Sequence, residues 1–180
     1  MKINFLALFF TIVNFCFSQQ NIEWRVDQNK SFIKYSGNHI LHSWEGFNDK
    51  IYGLGIPKSN NQDLDKLAIL IYVRDFDSNN SGRDAHSLEV LEAIKFPEIK
   101  FYSDKINTDD KKVFLIGSFD FHGVKIKKDI TANLKDNNKT LEISGNLYLK
   151  LSDFKIKLPS FLSIKIDDLV EINYTIVLNK

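Results

Sequence analysis

Cysteine and methionine are almost absent from the sequence, which holds one of each among 180 residues. Both fall within the first 18 residues, as Cys16 and Met1, and this segment has the pattern of an export signal. Lys2 is its charged start, the run from Phe5 to Phe17 is mostly apolar, and Ser18 is a small residue where a signal peptidase cuts. We therefore predict cleavage after Ser18 and a periplasmic or secreted location.

Cys16 leaves a second interpretation of this segment open, a lipoprotein acylated on its cysteine. That chemistry requires a small residue just before the cysteine, and Phe15 stands there. The apolar run is also shorter than the roughly 20 residues that a membrane-spanning helix needs, and no later stretch approaches that length. We therefore expect the mature chain to carry no membrane anchor.

Removal of the 18-residue signal from 180 residues leaves 162, numbered 19–180, with no thiol and no disulfide. A single domain accounts for this length, and its stability must come from its core alone. Because Lys2 is the only charged residue removed, 23 basic and 23 acidic side chains remain, and the net charge falls from +1 to 0. The overall charge therefore favours neither nucleic acid nor an anionic membrane as a partner.

Familiar catalytic motifs are absent as well. The sequence contains no Gly-x-Ser-x-Gly, no phosphate-binding loop and no His-Glu-x-x-His. A metal protein or a histidine-dependent enzyme is the rival interpretation, and it would use His39, His42, His86 and His122. We expect two residues three apart at a strand end to point to opposite sides, and no cysteine remains to complete a site. We therefore predict no enzyme activity, no cofactor and no metal.

Apolar and polar residues alternate over most of the remaining sequence. Apolar residues occupy mainly the even positions from Val124 to Leu134 and the odd positions from Leu141 to Leu151. The residues from Asp136 to Lys139 are typical of a turn, so the two runs are predicted to form one long antiparallel hairpin. Similar patterns before and after this hairpin bring the count to about eight strands.

Eight antiparallel strands in one domain favour a closed barrel, because closure leaves no sheet edge exposed. A sandwich is the alternative. Ten phenylalanines, two tryptophans and six tyrosines follow residue 18, and most of them are expected to fill the core. An eight-stranded barrel is just wide enough to be filled by side chains or to hold one small ligand. The fold class is therefore predicted to be all-β, an extended eight-stranded antiparallel lipocalin-like barrel.

The stretch before Pro97 interrupts the alternation. Ser81 followed by Asp84 resembles a capping box, with Asp84 itself as the competing N-cap. Apolar residues then recur every three positions on one face, at Leu88, Leu91 and Ile94. We predict a short amphipathic helix near residues 83–95, ended by Pro97 and lying as a lid or plug across one opening of the barrel.

The same stretch carries a resemblance to the YceI-like family of exported bacterial proteins. The central motif of that family is similar to Arg83-Asp84-x-His86-x-x-Glu89-Val90-x-Glu92-Ala93 followed by Phe96-Pro97-x-Ile99-x-Phe101-x-Ser103. Further pieces occur in the family's order, namely Trp24-x-Val26-Asp27, Gly117-x-Phe119-x-Phe121-His122-Gly123-Val124 and Ser152-Asp153-Phe154-x-Ile156. The ordered set covers nearly all of residues 19–180, although the segment from His39 to Gly46 is bulkier than the family's usual Gly-rich strand.

This resemblance implies a lipocalin-like barrel around a long apolar pore, with a helical excursion. It implies an exported protein that binds an amphiphilic lipid, such as a polyisoprenoid or a fatty-acid derivative, without catalysis. A homodimer and a partner of the cytochrome b561 type are further implications, and nucleic acid is not an expected partner. The alternative is a stress-related or surface-interaction module whose barrel is filled.

The inward faces of the strands supply the predicted lining of the pore: Ile33, Tyr35, Ile71, Val73, Phe101, Phe119, Phe121, Phe154 and Tyr174. The hydroxyls of Tyr35 and Tyr174 would meet either a ligand headgroup or a backbone carbonyl. Arg83 and His86 are the candidate headgroup contacts, because a guanidinium suits a carboxylate or a pyrophosphate. The alternative is structural, with Asp84 capping the helix and Arg83 paired with a nearby acid.

Overall fold

The structure is a computed structural model that describes residues 23–59 and 62–180, so the predicted signal peptide lies outside the described residues. The described residues form twelve strands: β1 (Trp24–Val26), β2 (Phe32–His39), β3 (His42–Asn48), β4 (Tyr52–Pro57), β5 (Leu64–Tyr72), β6 (Glu98–Asp109), β7 (Lys112–Phe121), β8 (Val124–Asn137), β9 (Thr140–Lys150), β10 (Ser160–Phe161), β11 (Ile164–Lys165) and β12 (Leu169–Asn179). Helix α1 (Ser81–Val90) lies between β5 and β6, and short 3-10 helices span Val73–Asp75 and Leu151–Phe154.

The strands close into an antiparallel barrel with eight positions. Strand β1 pairs with both β4 and β12, and this double pairing closes the sheet. Strands β1 and β2 pair with successive parts of β12, so together they occupy one position of the barrel. Strand β4 pairs with β1 and β3 pairs with β2, so these two strands together occupy the next position. Strands β5, β6, β7, β8, β9 and β12 complete the circle. The predicted eight-stranded barrel is confirmed.

The strand registers define two ends of the barrel. The turns Asp110–Lys111 and Asn138–Lys139 and the loop between β4 and β5 lie at one end, which we call the closed end. The turns Ile40–Leu41 and His122–Gly123, helix α1 and the β10–β11 hairpin lie at the other, the open end. The two ends differ in packing.

Apolar side chains fill the closed end. The most deeply buried members of this core are Trp24, Ile51, Leu64, Val113, Leu141 and Leu178. Each side chain buried in this way contributes about 1.5–3 kcal/mol relative to an exposed one. Because residues 19–180 hold no cysteine, no disulfide adds to the stability that this cluster provides.

The long hairpin predicted for β8 and β9 forms over only part of its length. Pairing runs from Asn137 and Thr140 to Asn133 and Ser144, and beyond that point no register joins the two strands. A second apolar cluster covers this separation, where side chains from the chain after β9 pack with those of the two strands: Val124, Ile126, Leu149, Leu151, Phe154 and Ile156. The alternation of apolar and polar residues correctly predicted which side chains of β8 and β9 face inward. It did not predict where the pairing between the two strands ends.

Helix α1 begins one residue after Asn80, whose side chain accepts a hydrogen bond of 3.0 Å from the Arg83 backbone N–H. Asn80 is therefore the N-cap, and the prediction of Ser81 or Asp84 was wrong. The chain after Asn80 is helical only to Val90, which is shorter than the predicted 83–95. Among the described residues, no helix has the length and apolar character to cross a membrane.

The apolar face predicted for the helix, with Leu88, Leu91 and Ile94, is only partly correct. Leu88 and Leu91 pack against the second apolar cluster as expected, but Ile94 is fully exposed. The reason is that Glu92 takes the left-handed conformation, with φ of 45°, and this ends the helical spacing before Ile94. Ala93 packs against the cluster instead.

A candidate lipid cavity at the open end

A cavity of about 460 Å³ occupies the half of the barrel nearest the open end. Helix α1 borders the cavity at the open end through Ser87 and Leu88, and Leu91, just after the helix, also lines it. The floor consists of buried aliphatic side chains where the closed-end core begins: Leu67, Ile69, Leu115, Ile130, Ile143 and Ile176. An almost wholly apolar lining of this kind suits an apolar chain rather than an ion.

The structure places all nine predicted lining residues on the wall of this cavity: Ile33, Tyr35, Ile71, Val73, Phe101, Phe119, Phe121, Phe154 and Tyr174. Whether they contact a ligand stays a prediction. Sequence reasoning missed other wall residues, among them Trp44, Leu147, Leu149 and Ile172. The alternation of β9 and β12 already carried the signal for the last three.

Four aromatic rings of the wall cover glycines on neighbouring strands. The pairs are Tyr35 with Gly46, Trp44 with Gly37, Phe101 with Gly117 and Tyr174 with Gly145. A Cβ added at any of these glycines would come within 3.1 Å of the aromatic side chain that covers it. The glycines thus give the rings room against the wall, which leaves the middle of the barrel open.

The hydroxyl of Tyr174 is buried in this wall and has no hydrogen-bond partner among the residues that the structure describes. The predicted alternative of a backbone carbonyl partner is therefore wrong for Tyr174. Burial raises the pKa of Tyr174 to about 12, so the side chain is neutral near pH 7. An unpaired buried hydroxyl costs about 1–3 kcal/mol.

The hydroxyl of Tyr35 has polar neighbours on α1 and β3. Burial raises the pKa of Tyr35, hydrogen bonds with Ser87 and Trp44 act against that rise, and the carboxylate of Asp84 adds to it. The Tyr35 ring also meets Phe76 edge-on, with 5.4 Å between the ring centroids. Tyr35 therefore links β2 to the helix that borders the cavity.

Arg83 and Asp84 both line the cavity and both hold the loop before α1. The Arg83 guanidinium donates from Nε to Ser78 Oγ at 3.0 Å and from Nη2 to the Ser78 carbonyl at 3.4 Å. Asp84 Oδ1 accepts from the Ser78 backbone N–H at 3.1 Å. Both residues thus hold the loop in place, as the structural alternative predicted. The partners were predicted wrongly, because Asp84 does not cap α1 and Arg83 contacts Ser78 instead of an acid.

His86, His39 and His42 also line the cavity, whereas His122 does not. The rings of His39 and His42 lie 5.7 Å apart, because these residues are paired across the Ile40–Leu41 turn. The expectation that they point to opposite sides was wrong, since it assumed one continuous strand. Across residues 23–59 and 62–180, no three side chains of His, Cys, Asp or Glu cluster closely enough to hold a metal ion.

His122 joins three segments at the open end. Its Nδ1 lies 3.0 Å from the Phe154 carbonyl oxygen, and its Nε2 lies 3.0 Å from Glu92 Oε2. The second contact is an ion pair by distance without the alignment of a hydrogen bond. Phe96 covers the ring, with 4.5 Å between centroids. His122 therefore has a structural role, fastening the segment after α1 to the β7–β8 turn.

Comparison with known proteins identifies similar barrels. The family described as the YceI-like domain matches residues 24–178, which confirms the resemblance seen in the motifs. The chain is similar to the UPF0312 protein plu2095 of Photorhabdus laumondii, with 27% identity over 139 residues that cover 71% of this chain and 72% of that protein.

Two solved structures share the fold. BcnA of Burkholderia cenocepacia has a TM-score of 0.74 and 19% identity, with 84% of this chain and 98% of that chain covered. A polyisoprenoid binding domain from Saccharophagus degradans, implicated in plant cell wall breakdown, has a TM-score of 0.70 and 13% identity, with coverage of 87% and 97%. At these identities the likeness establishes the fold alone.

Proposed function

This chain belongs to the YceI-like domain family, and from that premise we propose that it binds an amphiphilic lipid of the polyisoprenoid or fatty-acyl type. The observation that carries the proposal is the apolar cavity of about 460 Å³ between helix α1 and the closed-end core. The similar domain of Saccharophagus degradans, which is described as polyisoprenoid binding, supports the same ligand class.

The apolar chain of the ligand would lie in the cavity, and its headgroup would lie at the mouth. Burial of ten methylene groups is worth roughly 8 kcal/mol before the costs of association and ordering are subtracted. Arg83 and His86 lie on α1, border the cavity and are the proposed headgroup contacts. Arg83 is already held by Ser78, so little side-chain entropy would be lost when it meets a carboxylate or a phosphate.

The role that we propose is binding without catalysis, in a protein exported to the periplasm or beyond. A homodimer and a cytochrome b561-type partner remain proposals that rest on the family resemblance. The rival, a surface-interaction module with a filled barrel, requires side chains in the half of the barrel that the cavity occupies. The cavity therefore favours the binding protein.

The test is native mass spectrometry of the exported protein, followed by lipid extraction. We expect a co-purifying amphiphile of defined mass, or uptake of prenyl and fatty-acyl probes by protein stripped of lipid. Ile172→Trp, which places a large ring in the cavity, should abolish this binding. Ile116→Trp on the exposed outer wall is the matched control and should leave binding intact.

Two results would overturn the proposal. One is protein that neither carries an amphiphile nor takes up the probes. The other is binding that Ile172→Trp leaves unchanged, because the lipid would then lie outside the cavity.

A further inference from the structure

We propose that the open end of the barrel docks on a lipid bilayer through two hairpin tips at the cavity mouth. The tips are the β2–β3 turn, with Ile40 and Leu41, and the β10–β11 turn, with Leu162. This inference rests on the proposed function, because a lipid-binding protein must exchange its ligand with a membrane or with another carrier. It adds the surface through which that exchange takes place.

The side chains of the tips are exposed aliphatic groups. Ile40 is 75% exposed, Leu41 60% and Leu162 72%. Short turns are normally built from Gly, Asn, Asp, Pro or Ser, so three aliphatic residues in two such turns are unusual. The exposed groups gain nothing from the core of the barrel, which indicates a partner outside the chain.

The backbone of the second tip is in an unfavourable conformation. Leu162 and Ser163 form a two-residue turn between the paired residues Phe161 and Ile164, with φ of 50° and 67°. Turns of this kind favour Asn-Gly, and an L-residue in the left-handed region costs about 1–2 kcal/mol. A leucine that is both strained and exposed is better explained by a contact outside the chain than by the stability of the fold.

The two tips stand side by side on the mouth of the cavity. His39 Nε2 lies 3.2 Å from the Ile164 carbonyl oxygen, and the Asp167 N–H donates to the Asn38 carbonyl at 2.9 Å. Residues at the bases of both tips line the cavity, namely His39, His42, Pro159 and Ile166. Tips inserted into a bilayer would therefore place the cavity mouth at the membrane surface.

The local charge complements an anionic membrane. The segment between Phe154 and Ile166 contains Lys155, Lys157 and Lys165 and no carboxylate, while Asp153, Asp167 and Asp168 flank it at the bases, away from the tip. None of these lysines forms an ion pair with another residue in the described part of the chain. Because the chain after residue 18 is neutral overall, the attraction would be confined to this end.

The closed end provides the internal contrast. Its two-residue turns are Asp110–Lys111 and Asn138–Lys139, which are polar and charged. The described turns of that end hold no exposed large hydrophobic side chain, whereas those of the open end hold four: Ile40, Leu41, Ile94 and Leu162. The asymmetry matches a barrel that meets a membrane with one end only.

The experiment is co-flotation with vesicles of phosphatidylcholine, with and without phosphatidylglycerol. The protein is collected after export and its N-terminus checked by mass, so that the apolar run at residues 5–17 does not confound the result. The test variant is Leu41→Ser combined with Leu162→Asn, and asparagine suits the left-handed backbone. The matched control is Ile116→Ser, which removes an exposed aliphatic group from the outer wall. Uptake of a monomeric fluorescent fatty acid is measured separately for all three proteins.

We expect the unchanged protein to float with vesicles that contain phosphatidylglycerol, and the double variant to bind them about tenfold more weakly. The control should bind as the unchanged protein does, and all three should take up the fatty acid equally. Failure of the unchanged protein to float, or equal losses in variant and control, would overturn the docking surface. A dimer in solution that the double variant dissociates, without vesicle binding, would also overturn it. Vesicle binding by protein that takes up neither the fatty acid nor a prenyl probe would overturn the proposed function alone.

Discussion

The closed half and the open half of this barrel are built from the same strands but differ in how their interiors are filled. In the closed half the inward side chains meet one another and leave no room, as around Trp24 and Leu178. In the open half the inward rings lie over glycines, as Tyr35 does over Gly46, and the middle stays open. In this barrel the glycines opposite four of the rings thus help to leave the open half open.

The turns at the two ends of the barrel also differ in composition. Polar turns at the closed end agree with an end that stays in water, whereas the open end combines aliphatic tips with a helix at the cavity. The packed core of the closed half stabilises the fold, whereas the cavity in the open half leaves out side-chain contacts that would have added stability. Such a division is expected when a binding site is set into a fold that has no disulfides.

The largest predicted effect is a difference in the free energy of unfolding lost when a leucine is shortened in the closed half or in the open half. Leu178→Ala in the closed half should lower the free energy of unfolding by about 2–5 kcal/mol, because the fully buried side chain leaves a cavity in a packed core. Leu149→Ala at the cavity wall should cost about 1 kcal/mol, because part of its surface already faces open space. Urea denaturation of the lipid-free proteins measures both. Equal losses would show that the open half is packed as tightly as the closed half.

An intermediate effect tests the glycines of the wall. Gly46→Val would place its side chain against the Tyr35 ring, which must then turn into the cavity. We expect a loss of about 1–3 kcal/mol in stability and a loss of fatty-acid uptake. Adding Tyr35→Ala to Gly46→Val should restore part of the uptake.

The control for Gly46 is Gly82→Ala. Gly82 lies in the exposed first turn of α1, where an added Cβ meets nothing closer than the Asn80 side chain at 3.4 Å. This variant should keep uptake and change stability by less than about 1 kcal/mol. If Gly46→Val retained full uptake, the rings would not be what keeps the barrel open.

The barrel and its inward faces could be predicted from the sequence, because a period of two fixes which side chains share a face. Strand pairing was harder, since β8 and β9 look like one hairpin although the second apolar cluster, which includes Phe154, covers a separation between them beyond Asn133 and Ser144. The His39–His42 pair was missed for a related reason. A two-residue turn at Ile40 places the two rings across a hairpin, and the aliphatic composition gives no sign of a turn.

The site was predicted less completely than the fold. Motif residues such as Arg83 lie at the cavity, but their hydrogen bonds depend on the loop at Ser78, which no periodicity describes. The unpaired hydroxyl of Tyr174 is a three-dimensional property, since it depends on what lies around Gly145 and not on either residue alone.

The smallest predicted effect concerns the buried hydroxyl of Tyr174. Tyr174→Phe should raise the stability of the lipid-free protein by about 1 kcal/mol near pH 8, because it removes a buried hydroxyl without a partner. The pKa of about 12 in the folded protein lies above the usual value of 10, so the unfolded chain loses its proton first as the pH rises. The unchanged protein should therefore lose stability relative to Tyr174→Phe between about pH 10 and pH 12. Urea denaturation of both proteins at pH 8 and across this range measures the difference, and a gap that stays constant would show that the hydroxyl is hydrated in the folded barrel.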